Sequence, residues 1–195
     1  MSEESGSSPA IERLGGTLFR NRGWLPAPVL AAQIALADPV GGGELAGGLA
    51  LLCAGELLRI HAVGYIGNRS RTMGDEVTGL ERRGPYRFTR NPLYVANIAI
   101  WCGFGLTHGW WWALWFGLLV VHYNLIIRFE EGNLSRELGE PYQRFLDEVG
   151  RWFPRSLKPS NNSFDGPPWS LRAALRSERT TLLVLLVAVA LSFAL

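Results

Sequence analysis

Apolar residues gather in five stretches of this chain, at 29–37, 45–58, 93–106, 110–127 and 181–195, and nearly all the charge lies between them. Soluble cores do not usually separate charge so cleanly. A membrane helix needs roughly 20 apolar residues to cross about 30 Å of hydrocarbon. The runs 110–127 and 44–65 approach that length, whereas 24–37 and 180–195 are short and require tilt or local thinning of the bilayer. The pattern predicts an all-α integral membrane protein with about five transmembrane helices, at about 24–38, 44–65, 92–107, 109–128 and 179–195.

Ahead of the first span, Ile11, Leu14 and Leu18 fall at helical spacing with Glu12, Arg13 and Arg20 among them. This predicts a short amphipathic helix lying on the membrane surface. The opening MSEESGSSPA is polar and acidic, so no secretory signal is expected there. KPSNNSFDGPPW (158–169) reads as a loop by its Pro, Gly, Ser and Asn content. The expected organisation is a cytoplasmic tail at 1–23, a membrane core at 24–158, a loop at 159–178 and a final transmembrane helix at 179–195.

Charge adds an orientation. The 195 residues carry a formal net charge of only +2, and mean hydropathy is +0.10, so neither average decides the class. Position is more informative. Arg13, Arg20 and Arg22 precede the first span, and Arg69, Arg71, Arg82, Arg83, Arg87 and Arg90 follow the second. All basic residues from Arg128 to Arg179 follow the fourth, and Arg59 stands near the inner end of the second. The short turns DPVGGG and THG have none. Basic residues thus occupy alternate connections, which by the positive-inside rule puts the N-terminus and long loops in the cytoplasm and the C-terminus outside. Cys53 and Cys102 both sit in apolar runs and suggest no disulfide framework.

Three inner segments are candidates for chemistry. HAVGYIGNRSRT (61–72) has Gly64 and Gly67, which let backbone approach either a ligand or a neighbouring helix. RRGPYRFTRNPLYVANIA (82–99) has a Gly84-Pro85 turn, then Asn91 as a candidate cap with Pro92 at the first helical position. Such a helix N-terminus suits an anionic group, but Arg and Tyr are also ordinary interfacial anchors. In IIRFEEGNLSRELGEPYQRFLDEVGRWFP (126–154), Arg128, Glu130 and Glu131 stand where an apolar helix ends. Carboxylates there are costly unless paired or wetted. Leu134, Leu138, Tyr142, Phe145 and Val149 make an apolar stripe broken at Gly139 and Pro141, which reads as packing. Glu56 and Arg59 are spaced to pair on one helix, and His122 and Asn124 are further intramembrane polar residues. Nothing has metal-ligand spacing, and no nucleotide-binding motif or nucleic-acid partner is expected.

GPYRFTRNPLY, an apolar hairpin and RFEEGNLSRELGEPYQRFLDEVGRWFP, in this order, resemble the integral-membrane methyltransferases. That group includes the isoprenylcysteine carboxyl methyltransferases and the phospholipid N-methyltransferases. The resemblance covers roughly residues 45–155. It implies S-adenosylmethionine as cofactor, held in a small cytoplasmic region between the last loops and the membrane helices. Tyr86 matches the Tyr of a Gly-x-Tyr element, and Asn91, Pro92 and Tyr94 match a His-Pro-x-Tyr element that lines the cofactor. Glu130 matches the acidic residue for the cofactor's ammonium. Thr78 and Leu80 match a cofactor-contacting stretch, and Gly64 lies near a Gly-containing element. Arg128 lies near the family's substrate-binding arginine. An amine acceptor needs a base, for which Glu130, Glu131 or His122 are candidates. Arg128 and Glu131 are thus the expected catalytic residues.

Two departures bear on the acceptor. Asn91 replaces the His of the isoprenylcysteine enzymes and is more like the phospholipid enzymes, and the span after Lys158 matches no family motif. The reading is a membrane methyltransferase acting on a lipid-like acceptor, phospholipid amine before prenylated cysteine. The alternatives are an NADPH-dependent sterol-type reductase, whose C-terminal pattern is similar, and a non-enzymatic membrane scaffold.

Overall fold

The computed structural model describes residues 9–23, 26–66, 80–156 and 168–194. Thr78, Gly67 and most of the 158–169 loop lie outside them. Among the described residues seven α-helices follow in order: α1 (Pro9–Arg20), α2 (Pro26–Leu36), α3 (Gly42–Ile66), α4 (Pro92–Leu106), α5 (Trp111–Leu138), α6 (Glu140–Glu148) and α7 (Leu171–Ala194). The described residues form no strand, only an isolated bridge between Thr89 and Gly150.

The helices α3 and α5 are long and apolar enough to cross a membrane. Their 25 and 28 residues make about 38 and 42 Å at 1.5 Å per residue, against about 30 Å of hydrocarbon. The shorter apolar helices α2 and α4 have 11 and 15 residues. Most of the first half of α7 is polar, with Arg172, Arg176, Glu178 and Arg179. Helix α5 continues ten residues beyond 128, the expected end of the fourth span, through RFEEGNLSREL, which has no proline and carries Gly132 within the helix. It stops at Gly139, whose φ of +60° is a conformation that favours glycine.

Helices α3 and α4 cross at backbone contact. A Cβ on Gly48 would lie 2.7 Å from the Gly103 carbonyl oxygen, and one on Gly103 would lie 2.5 Å from the Leu52 nitrogen. Small residues at such a crossing are the usual membrane solution. The main core gathers Cys102, Trp115, Leu119, Tyr123, Ile126 and Ile127, with Leu18 and Phe19 of α1 and Val29 and Leu30 of α2 packed against it. Trp101 stacks on Trp115 at 4.8 Å. Trp115 Nε1 donates to Gln33 Oε1 (2.6 Å), and Gln33 Nε2 donates to the Phe104 carbonyl (3.1 Å). That satisfied polar contact pins the short α2 to α4 and α5.

Helix α1 is present where its period predicted it, and it lies on α5. A Cβ on Gly15 would meet the Leu125 carbonyl oxygen at 2.7 Å and Phe129 Cβ at 2.8 Å. The apolar stripe after α5 is packing as expected: Tyr142, Phe145 and Val149 form a second cluster with Leu80, Leu134 and Leu138.

Candidate functional site

The end of α3 meets the 3-10 turn Gly84–Arg87 and, through the hydrogen bond from Ser170 N to the Gly64 carbonyl, the start of α7, while Arg90 N, just before α4, donates to the Gly150 carbonyl just after α6. A cavity of about 750 Å³ opens among the helices near these junctions. Its walls come from the end of α1, the start of α2, from α3, α4, α5 and α7, and from the 3-10 turn. That volume lies within the range of small-molecule sites.

The opening stretch reaches the cavity through a local knit. Pro85 sets the 3-10 turn and buries Tyr86 on its inner side. The Tyr86 hydroxyl is buried without a hydrogen-bond partner. Burial, with the Glu81 and Glu130 carboxylates nearby, pushes its phenol above the usual range, so it stays a neutral donor. Asn91 precedes α4 with Pro92 in the first turn, but its side chain makes no capping hydrogen bond. Asn91 Nδ2 instead donates to the Arg151 carbonyl (3.1 Å). The reason is the pairing beside it: Arg90 N donates to the Gly150 carbonyl (2.9 Å) and Thr89 Oγ1 to the Arg151 carbonyl (3.0 Å).

Glu131 locks this knit to α5. It pairs with Arg90 (2.9 Å) and with Arg151, while Arg90 Nη1 donates to the carbonyls of Leu146 and Val149. One residue earlier, Glu130 lines the cavity and accepts a hydrogen bond from the Tyr94 hydroxyl (2.9 Å). Tyr94 stacks on Tyr123 with centroids 4.5 Å apart. Asn97 then donates to the Tyr123 hydroxyl (3.1 Å) and accepts from Arg59 Nη1 (2.8 Å). Arg59 Nε pairs with Glu178 of α7 (2.8 Å), and Arg59 Nη2 donates to Thr181 (3.3 Å). A polar and aromatic wall therefore runs from α5 through α4 and α3 to α7.

Tyr86, Asn91, Pro92, Tyr94 and Glu130 all line this one cavity. The other sequence candidates lie elsewhere. Gly64 abuts the Trp169 indole, where a Cβ would come within 2.0 Å of Nε1, and Trp169 Nε1 donates to the His61 carbonyl (3.1 Å). Leu80 packs on the Tyr142 cluster. Arg128 is exposed and off the lining, and Glu131 is held by its two arginines. His122 is buried away from the cavity, with neither ring nitrogen partnered. The expected Glu56–Arg59 pair is corrected: Arg59 takes Glu178, and both Glu56 carboxylate oxygens are buried without a partner. Sequence reasoning missed Asn97, Tyr123 and Glu178, whose roles depend on contacts across helices. Arg59, the one basic residue inside an apolar run, was the available signal.

Residues 44–140 match the family model of the phospholipid methyltransferases. The chain belongs to this family. No curated protein and no solved structure matches the chain. The phospholipid methyltransferase segment begins at α3 and ends at the start of α6, so it contains Tyr86, Asn91, Tyr94 and Glu130. Helices α1, α2 and α7 lie outside it, although all three help wall the cavity, α2 through Pro26. Membership makes the chain a membrane methyltransferase of a lipid-acting family, and its reaction requires a methyl donor.

Proposed function

We propose that the chain transfers a methyl group from S-adenosylmethionine to a lipid-like acceptor, a phospholipid amine or similar amphiphile, within this cavity. The convergence of Tyr86, Tyr94, Tyr123 and Glu130 on one cavity carries the reading. These residues fit the donor. Glu130 offers a carboxylate to an ammonium, and the stacked Tyr94 and Tyr123 rings offer π faces to a sulfonium. The unpartnered Tyr86 hydroxyl offers a neutral hydrogen-bond donor.

When bound, S-adenosylmethionine supplies an electrophilic methyl on a sulfonium. The protein's task is then to align donor and acceptor and to exclude water. Tyr94 fixes the Glu130 carboxylate by its 2.9 Å hydrogen bond. Arg90 and Arg151, through Glu131, hold the Asn91–Pro92 helix start against α5. Glu131 is in this reading a positioning residue. Glu130 is the one of the three expected bases that lines the cavity, and in this reading it is occupied by the donor's ammonium, so the acceptor amine enters unprotonated and gives its proton to water after transfer.

The proposed membrane setting has the basic end of the bundle in the cytoplasm and the C-terminus outside. The short α2 and α4 and the apolar half of α7 join α3 and α5 as spans by tilt or local thinning. An acceptor reaches the cavity from the bilayer, past Val184 and Leu185 of α7. Incubating purified protein in lipid vesicles with methyl-labelled S-adenosylmethionine and a panel of phospholipids tests the reading. Label should enter an amine-bearing phospholipid, and Glu130→Ala should lower the rate by about 10-fold or more, as for loss of a charged contact. Label in a prenylcysteine alone would overturn the acceptor class. No transfer to any lipid would overturn the function.

A further inference from the structure

We propose that the outer face of α7 binds the headgroups of anionic membrane phospholipids, and that lipid held there braces one wall of the cavity from behind. This rests on the membrane setting proposed above. Arg172, Arg176 and Arg179 of α7 are exposed, and so are Leu183 and Leu186 further along the helix. At 3.6 residues per turn these five share one stripe about 80° wide. The opposite stripe, with Ala174, Glu178, Leu185 and Ala188, is buried. It docks on α3, where Arg59 pairs with Glu178.

Along the outer stripe, charge gives way to hydrocarbon in a single step. The three arginines span about 10 Å at 1.5 Å per residue, close to the depth of a headgroup layer. No charged residue follows Arg179 in the chain, so the stripe passes from guanidinium to leucine within about one turn. A phospholipid in one leaflet has the same order, phosphate at the surface and acyl chain below. Basic side chains at that level attract anionic lipid through the surface field and by hydrogen bonds to phosphate.

Other arginines of the basic side are tied into the fold. Arg82, Arg83, Arg90, Arg144 and Arg151 each face a carboxylate. Among the described residues Arg172, Arg176 and Arg179 have neither an ion pair nor a side-chain hydrogen bond. The positive-inside rule explains which side of the membrane they occupy. That rule needs only their number, and it does not require the one face that leads into Leu183 and Leu186. The same helix presents Thr180, Thr181, Val184 and Leu185 to the cavity, so its position sets that wall.

The test is native mass spectrometry of the purified, detergent-solubilised full chain titrated with phosphatidylglycerol and with phosphatidylcholine, alongside melting curves. Wild type should bind the first phosphatidylglycerol about 5-fold or more tightly than phosphatidylcholine, the factor for a single arginine at an anionic surface. Phosphatidylglycerol should also raise its melting temperature, and inorganic phosphate at the same concentration should not. Replacing Arg172→Gln, Arg176→Gln and Arg179→Gln together should remove both the preference and the lipid-induced rise. The lipid-free melting temperature of that variant should stay at the wild-type value, which shows that it is folded. Arg13→Gln, Arg128→Gln and Arg136→Gln together remove the same charge from other exposed positions and should keep the preference. A preference that survives in the α7 variant, is lost equally in the other set, or is matched by stabilisation from inorganic phosphate would overturn the proposal. Equal binding of both lipids by wild type overturns this site alone, whereas binding of neither would take the membrane setting down with it.

Discussion

Two neighbouring carboxylates on α5 do different work. Glu130 lines the cavity under the Tyr94 hydroxyl, whereas Glu131 is gripped by Arg90 and Arg151. Tyr94→Phe keeps the ring on Tyr123 and removes the hydrogen bond to Glu130. Its expected effect is a rise of about 3- to 10-fold in the dissociation constant for S-adenosylmethionine, with thermal stability nearly unchanged. Calorimetry with a melting curve checks both parts. Arg59 and Glu178 are the opposite case. The Glu178 side chain is 1% exposed and that of Arg59 20%. Arg59→Met therefore strands a buried carboxylate without this pairing, at a cost of about 2–3 kcal/mol, below the range for fully buried pairs. A drop in the melting temperature of the detergent-solubilised protein reads it out. From the sequence, the nearest acidic residue to Arg59 by helical spacing was Glu56. The true partner comes from α7, and no local rule reaches that far along the chain.

Helix placement was legible wherever apolar period or a breaker marked it. Ile11, Leu14 and Leu18 gave α1, and Asn91-Pro92 gave the start of α4. Apolarity marked the fourth span only to 128, while the helix itself continues to Gly139, where the apolar stripe was expected to break. Asn91 stands at the cap position of α4 as expected, but its side chain answers to the Arg151 carbonyl, a partner set by the Thr89–Gly150 bridge. Glu131→Gln removes the charge that holds both arginines. It should speed amide exchange at Arg90, whose N–H is bound to Gly150, and leave exchange at the α3–α4 crossing unchanged. Hydrogen exchange with mass spectrometry distinguishes the two regions. At that crossing Gly103→Leu drives a side chain into the Leu52 backbone, and overpacking there should cost about 1–3 kcal/mol.

Around its apolar core the described part of the molecule also turns large apolar side chains outward. Leu57 of α3, Phe116 and Val121 of α5, and Leu183 and Leu186 of α7 are among the exposed large side chains. Such a surface fits the lipid setting of the family better than water. Membrane character and family were legible because charge segregation and two motifs survive without any contact information. The cavity was legible only in part: the motifs gave Tyr86, Asn91, Tyr94 and Glu130, whereas Arg59, Asn97 and Tyr123 of the same segment and the flanking α1 and α7 join its wall only through contacts between helices. The proposed orientation rests on the basic residues and has its own check. With Cys53 and Cys102 replaced by Ala, single cysteines at Gly41 and Ser156 should label differently with an impermeant maleimide on intact cells. Gly41→Cys should react at once, and Ser156→Cys only after permeabilisation.

The central claim is that this cavity holds S-adenosylmethionine against Glu130. Titrating the purified full chain with that compound and with NADPH, in wild type and Glu130→Ala, tests it most directly. Saturable binding of S-adenosylmethionine alone, weakened about 10-fold or more by the substitution, is the expected result. Binding of NADPH in its place, or S-adenosylmethionine binding that Glu130→Ala leaves unchanged, would contradict it.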